Sequence, residues 1–399
     1  RFSCVVQDPP RGTGDAVMVA MRAAAATDCQ RVLIVSGDTP LISADDLTPM
    51  VDALSAAPSA KLALLTFVAA DATGYGRVLR DDQGKVSEIR EHRDLRSDTE
   101  RQVREVNAGF YLVDAAFLRN ALQTLKPENS QGEYYLTDIV RLAAQAGGAV
   151  AVLRPEQNLM GINDRVQLAD AERLLFRRIA DQHRRAGVSI TGDVCIDEGV
   201  VIEQDACISA GVALRGKVHV GARASIDVGS VIENASIGAD TKVLPYCVIS
   251  NSTVGQKVQL GPFAHLRPDS VIEDDAKIGN FVETKKTRMR RGAKANHLTY
   301  LGDADVGENS NIGAGTICCN YDGFNKSKTT IGKNVFIGSD SQLVAPVTVG
   351  DDAYVATATT VTENVPAEAL AIGRVRQSNK AGYAKLLRER LNARKKGEH

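Results

Sequence analysis

The stretch Ile196–Val220, IDEGVVIEQDACISAGVALRGKVHV, sets an aliphatic residue at every sixth position: Ile196, Ile202, Ile208, Leu214 and Val220. The beat runs on through Ile226 and Ile232. It returns as Val254, Leu260, Leu266, Ile272 and Ile278, and again as Ile331, Ile337, Leu343, Val349, Val355 and Val361. In-phase fragments, Ile237-Val243-Ile249 and Val306-Ile312, lie between them. A helix repeats every ~3.6 residues and a strand every ~2, so neither gives this beat. A triangular coil does. Three short strands make one turn of about eighteen residues, and each aliphatic side chain points inward onto the one a turn below. Each coil takes its hydrogen bonds from its neighbours, so coils must stack. The reading is a left-handed parallel β-helix over residues 188–373. Two interruptions stand out: Thr284 at an inward position, and Cys318–Lys328, which breaks the beat. A loop that leaves such a stack commonly builds a site.

Upstream, residues 1–162 read as an α/β domain. Val32–Val35 and Lys61–Phe67 look like buried strands, and Asp15–Ala26 and Ala44–Ala56 look helical. Alternation of that kind predicts a mainly parallel sheet, with ligands at the C-terminal strand ends, as at Gly37-Asp38. Asp164–Arg185 is one long helical pattern with Asn163 as its N-cap, so residues 163–187 form a linker helix. Residues 374–399 are a basic tail. Read by itself, it fits an ordinary solvated, partly helical tail.

Composition excludes several classes. The chain has 399 residues, 44% of them hydrophobic, with a formal net charge of -1. That balance gives no basic field for nucleic acid, and no apolar run is long enough to span a membrane. Seven cysteines without a CxxC pair read as reduced thiols of a cytoplasmic protein.

Long ordered motifs carry a family resemblance. They are Gly261–Pro268 (GPFAHLRP), Gly279–Lys286 (GNFVETKK), His297–Ala304 (HLTYLGDA), Asn311–Thr316 (NIGAGT), Asn320–Gly323 (NYDG) and Gly338–Asp340 (GSD). In the first domain, Gln7, Gly12-Thr13-Gly14, Gly37-Asp38, Gly74–Arg77, Glu91-His92, Asn107–Gly109, Gly132–Asp138 and Gly161–Asn163 match as well. The chain resembles the bacterial bifunctional N-acetylglucosamine-1-phosphate uridyltransferase/glucosamine-1-phosphate N-acetyltransferase family over nearly its whole length.

That resemblance implies a nucleotidyltransferase-like (Rossmann-like) domain joined by a long helix to the β-helix. It implies acetyl transfer from acetyl-CoA to glucosamine 1-phosphate, then reaction of N-acetylglucosamine 1-phosphate with UTP and Mg²⁺. His297 would be the base, with Glu283 orienting its other ring nitrogen. Arg267, Lys285, Tyr300 and Asn311 would bind the sugar phosphate, and Asn320 and Tyr321 would position the amine. Ala314, Ser339, Thr357 and Arg374, with Asn320 and Tyr321, would hold acetyl-CoA, and Lys380–Lys396 would either lie near its nucleotide end or remain a solvated tail, two readings of equal weight. Thr357-Ala358 departs from the family's usual Ala-Gly. In the first domain, Gln7, Gly12, Thr13, Gly76, Glu91, Asn107 and Asn163 would bind UDP-N-acetylglucosamine, and Asp38 and Asn163 would hold Mg²⁺. The family's Gly-rich loop L-A-A-G-x-G-T-x-M and the Lys after it, which cradle the triphosphate, are not in this sequence. The expectation is an N-terminally incomplete fold and impaired uridylyl transfer in this chain. The prisms of the family resemble homotrimers with the acetyl site shared between subunits.

Three other readings compete. A sugar-nucleotide pyrophosphorylase whose prism only regulates or oligomerises would need neither His297 nor the Asn320–Gly323 loop. A metal-dependent hydratase of the gamma carbonic anhydrase kind would need closely spaced histidines, and the six here are scattered. A pure trimerisation module would not need Arg267, Lys285 and His297 together.

Overall fold

The computed structural model describes residues 3–22 and 29–397. Two compact units divide it, residues 1–175 and 176–399.

The first unit opens with α1 (Thr13–Met21) and β1 (Arg31–Ile34), followed by α2 (Ala44–Ala56), β2 (Leu62–Val68), β3 (Arg77–Arg80) and β4 (Val86–Arg90). Next come α3 (Asp98–Gln102), β5 (Glu105–Asp114), α4 (Ala115–Thr124), α5 (Asp138–Ala146), β6 (Ala149–Leu153) and α6 (Glu156–Leu159). The part of the expected first helix at Ala23–Ala26 lies outside the described residues. The sheet order is β4-β3-β5-β2-β6, with β1 also on β5. The expectation of a mainly parallel sheet is corrected here. Only β2 and β6 pair in parallel, whereas β5 runs antiparallel to β1, β2 and β3. From β3 to β5 the chain passes through a hairpin and the five-residue α3, with no long crossover of the kind parallel pairing requires. Strand β2 is buried throughout except at Val68, as its apolar run predicts, but β1 alternates exposed and half-buried.

Helix α7 (Arg165–Arg185) forms as its pattern predicts, with its cap shifted by one residue. Asp164 Oδ1 accepts from the Val166 and Gln167 N–H groups at 2.8 Å each, so Asp164 rather than Asn163 caps it.

The second unit is the predicted prism, every rung parallel. Ile208 pairs over Ile226, Ile226 over Val243 and Val243 over Leu260, and so along the face to Ile278, Ala295, Ile312, Ile337 and Val355. Two further inward columns pass through Leu214, Ile232, Ile249 and Leu266, and through Val220, Ile237, Val254 and Ile272. These side chains form one continuous buried core. The interruption at Thr284 is not an excursion. Thr284 is fully buried in the second column, and its hydroxyl meets Ser270 Oγ at 2.9 Å. Between Ile312 and Ile337 a turn takes 25 residues because Asn320–Lys328 leaves the stack and returns. The basic tail carries a final helix, α8 (Tyr383–Gly397), and its residues through Lys395 are exposed. Among the described residues no helix is long and apolar enough to cross a membrane.

Candidate functional sites

In the prism, two extended segments, Lys277–Lys285 and Lys294–Gly302, lie in register and turn a corner together. Their register decides what His297 meets. Asn280 is its partner one coil below, and His297 Nδ1 lies 2.7 Å from Asn280 Oδ1. Glu283 pairs with Tyr300 instead, and its Oε1 accepts from Arg267 Nη1 at 2.7 Å. Within the chain, then, the hydrogen-bond partner of the imidazole is Asn280, and that of Glu283 is Arg267. The corner at Phe281 separates the two, because Asn280 stands before it and Glu283 after it. An amide oxygen accepts only, so Nδ1 is the nitrogen that donates to Asn280, and Nε2 is the one left to face a ligand.

One corner of the prism stacks the residues expected to bind acetyl-CoA above that imidazole. The Gly315 N–H donates to Leu298 O, Asp340 N–H to Ala314 O, and Ala358 N–H to Ser339 O. Asn280, His297, Ala314, Ser339 and Thr357 therefore stand on successive coils at one corner. Arg374 Nη1 donates to Thr357 O at 2.5 Å and so reaches the same column. Close backbone approach makes the corner. A Cβ on Gly279 would stand 1.8 Å from Asn296 O, so only glycine fits there.

A cation cluster forms farther along the same segments. Lys285 follows Arg267 by one coil, and Lys326 of the excursion stands beside it. Lys326 above all, with Arg267, pushes the Lys285 pKa below its ordinary value, while Asp303 pulls it up. Like charges gathered at an exposed spot suit an anion. Lys326 was not among the residues singled out from the sequence. The break in the six-residue beat around it was the available signal. The excursion is pinned by Asn320, which is buried and donates from Nδ2 to Asp303 Oδ2 at 2.6 Å. Gly302 leaves room for it, since a Cβ there would meet the Tyr300 hydroxyl at 2.4 Å and Asn320 Nδ2 at 2.8 Å. Tyr321 is exposed, and its hydroxyl donates to Gly323 O. Asn311 pairs with Lys294 in the neighbouring rung.

Beside His297 an apolar ladder runs along the corner. The rings of Tyr246, Phe263 and Phe281 stack at centroid distances of 5.5 and 5.2 Å. All three are exposed, as is Leu298 on the next coil. Each has a left-handed backbone, with φ of 59°, 56°, 55° and 45° in turn. Bulky residues rarely accept that conformation.

In the first unit the expected residues gather at three places. At the first, the Gly12–Gly14 loop docks on the Glu133–Leu136 segment. Gly14 N–H donates to Tyr134 O at 2.7 Å, and Leu136 N–H to Thr13 Oγ1 at 3.1 Å. Gln7 bonds to the Gly12 carbonyl of that loop at 3.0 Å. At the second, Gly76, Glu91 and Asn107 meet. Asn107 N–H donates to Gly76 O at 2.9 Å, and a Cβ on Gly76 would stand 3.3 Å from Glu91 Oε2. Glu91 takes a bond from Thr137 Oγ1 at 3.0 Å and lines a cavity of about 660 Å³ with Tyr135 and Asp138. Burial raises its pKa, and Thr137 partly offsets that. At the third, Ile162 N–H donates to Asp38 O at 2.9 Å, fastening Gly161–Asn163 against Asp38. A Cβ on Gly161 would press to 3.0 Å from Asp38 Oδ2, so the glycine keeps that oxygen open. A carboxylate and a side-chain amide oxygen are the hard donors that Mg²⁺ takes.

Similarity to known proteins agrees with both units. Residues 1–158 match the nucleotidyl transferase family, residues 190–280 the GMPPB C-terminal domain, and residues 328–363 the bacterial transferase hexapeptide (six repeats). The bifunctional protein GlmU of Sorangium cellulosum (strain So ce56) is 57% identical over 97% of this chain and 81% of its own length. Proteins of the same description from Anaeromyxobacter sp. (strain Fw109-5) and Listeria monocytogenes serovar 1/2a are 48% and 45% identical, over 98% and 96% of this chain and 80% and 84% of theirs.

Proposed function

The chain belongs to the bifunctional GlmU family, and on that premise we propose how its residues divide two reactions. The β-helix transfers the acetyl group of acetyl-CoA to the amine of glucosamine 1-phosphate. The first domain joins the resulting N-acetylglucosamine 1-phosphate to UTP, giving UDP-N-acetylglucosamine and diphosphate. The domains are residues 1–162, the linker helix 163–187, the prism 188–373 and the tail 374–399. The protein works in the cytoplasm as a homotrimer.

The observation that carries the acetyltransferase reading is the corner column. It sets an imidazole with its Nδ1 held by Asn280 below the positions of Ala314, Ser339 and Thr357. The His297 Nε2 lone pair takes the proton as the sugar amine attacks the thioester carbonyl, and coenzyme A leaves as the thiol. Arg267, Lys285 and Lys326 hold the phosphate, with Tyr300, Asn311, Asn320 and Tyr321 around the sugar. Asn280 and Lys285 lie five residues apart on one strand, up to ~16 Å when extended, around the corner at Phe281. That spread supports a site completed by a neighbouring subunit, and so does the exposed ladder beside His297.

In the first domain, Gly76, Glu91 and Asn107 hold the amino sugar, and Gln7, Gly12 and Thr13 hold the uracil. Asp38 and Asn163 hold Mg²⁺, which supplies charge neutralisation for the phosphates. A phosphate oxygen of the sugar attacks the α-phosphorus of UTP, and diphosphate leaves.

The test is thiol release from acetyl-CoA. Turnover that requires glucosamine 1-phosphate and falls on the order of 10²–10⁴-fold in His297→Ala supports the base. A folded trimer with no turnover would point to a prism that only assembles, and a fully active variant would remove His297 from the mechanism.

A further inference from the structure

A buried carboxylate holds the Gln7 side-chain amide in the first domain. Asp15, at the start of α1, is 4% exposed. Its Oδ2 accepts from Gln7 Nε2 at 2.8 Å, and its Oδ1 from Arg11 Nη2 at 3.1 Å. The second amide hydrogen of Gln7 goes to Gly12 O at 3.0 Å. Both Nε2 hydrogens are thus committed, and Oε1 is the atom with which this side chain can meet a ligand. A carboxylate and a carbonyl only accept. Turning the amide over would set Oε1 against two acceptors. The Gly12 carbonyl cannot yield easily. Gly12 has φ of 104° and packs so tightly on Tyr134 that a Cβ would stand 2.7 Å from its carbonyl oxygen. The loop is closed from the other side by Tyr134 N–H donating to Arg11 O at 2.9 Å. Gln7 first, then Arg11, lowers the Asp15 pKa, so the carboxylate stays ionised and acceptor-only near neutrality.

We infer that Asp15 is the positioning residue that fixes the hydrogen-bonding polarity of Gln7, and that it thereby makes the nucleotide site prefer uracil to cytosine. Uracil offers an N3–H donor to Oε1. Cytosine presents an N3 lone pair in its place and would need the amide reversed. The inference rests on the proposed contact between Gln7 and the base.

The experiment measures equilibrium binding of UTP and CTP, each with Mg²⁺, to the full chain and to Asp15→Ala and Asp15→Asn. The two nucleotides share the triphosphate, so their affinity ratio isolates the base. The unchanged chain should favour UTP by about tenfold or more. Asp15→Ala should bring the ratio to within about twofold, because the amide can then turn. Asp15→Asn keeps an acceptor and should retain most of the preference. A merely structural Asp15 would weaken both nucleotides alike and leave the ratio unmoved, which overturns the inference. No preference in the unchanged chain would instead overturn the contact between Gln7 and the base. Should Asp15→Ala not fold, Asp15→Ser replaces it: its short hydroxyl also donates, so a fallen ratio supports the inference and a held ratio overturns it.

Discussion

Asn280 and Lys326 show how much a single side chain decides at the acetyl site. Asn280 holds the imidazole by one hydrogen bond of 2.7 Å. Asn280→Ala should lower the acetyl transfer rate roughly ten- to a hundredfold, because the ring loses its aim. The Km for glucosamine 1-phosphate should change little, and steady-state kinetics separates the two. Lys326 acts through charge. Lys285 has a lowered pKa because Lys326 and Arg267 crowd it. In the proposed site only its protonated form would bind phosphate, so binding should be present below that lowered value and lost as pH rises through it. Glucose 1-phosphate has no amine to titrate and makes a clean probe. Its dissociation constant should climb at a pH below the ordinary lysine range. In Lys326→Gln that rise should move to higher pH, while binding near pH 8 weakens about tenfold or more through loss of a charged contact. A rise at unchanged pH in the variant would show that Lys326 does not face Lys285 in solution.

At the scale of elements, the ladder of Tyr246, Phe263, Phe281 and Leu298 needs a cover. Four exposed apolar side chains in one column, held in left-handed conformations, are costly to present to water. In the homotrimer proposed above a second copy of the chain would be the occupant, which would also explain why the column runs up to His297. Replacing Phe263 and Phe281 together by Glu should convert the assembly to monomers, read by light scattering on an eluting column. Circular dichroism should keep its strand signal, and acetyl transfer should fall with the mass. An unchanged mass would separate the ladder from assembly. These elements also mark the limit of what was legible. The six-residue beat gave the prism because every inward position repeats the same packing demand. It gave no account of Asn280, since which residue faces His297 depends on coil lengths, and those vary: Ile208 to Ile226 spans 18 residues, and Ile226 to Val243 only 17. Alternating strands and helices gave the first domain its class but not the reversal of β5, because periodicity carries no direction. Asp15 escaped notice because its role is a bond to Gln7 eight residues away, across a turn that no pattern encodes.

On the scale of the whole molecule, the chain carries separate cores. One fills the prism, and two others lie on β2 and β5 of the first domain. A stacked coil shares its stability with its neighbours, so damage to one rung spreads along the prism. Leu260 is fully buried in the middle of a column. Leu260→Ala should cost about 2–5 kcal/mol of prism stability. Phe110, fully buried in the first domain, should cost about 3–5 kcal/mol there when cut to Ala. Thr284→Val makes the contrast. It removes one hydroxyl pair, but Ser270 Oγ still donates to Arg267 O at 2.7 Å, so its cost should stay within about 1 kcal/mol. Hydrogen exchange read by mass spectrometry can assign each loss to its segment. Leu260→Ala should speed exchange from about Ile190 to Val361 and leave Leu62–Val68 protected, while Phe110→Ala should do the reverse. If both variants opened the two regions equally, the cores would be one cooperative unit, and neither reaction could be lost to heat without the other.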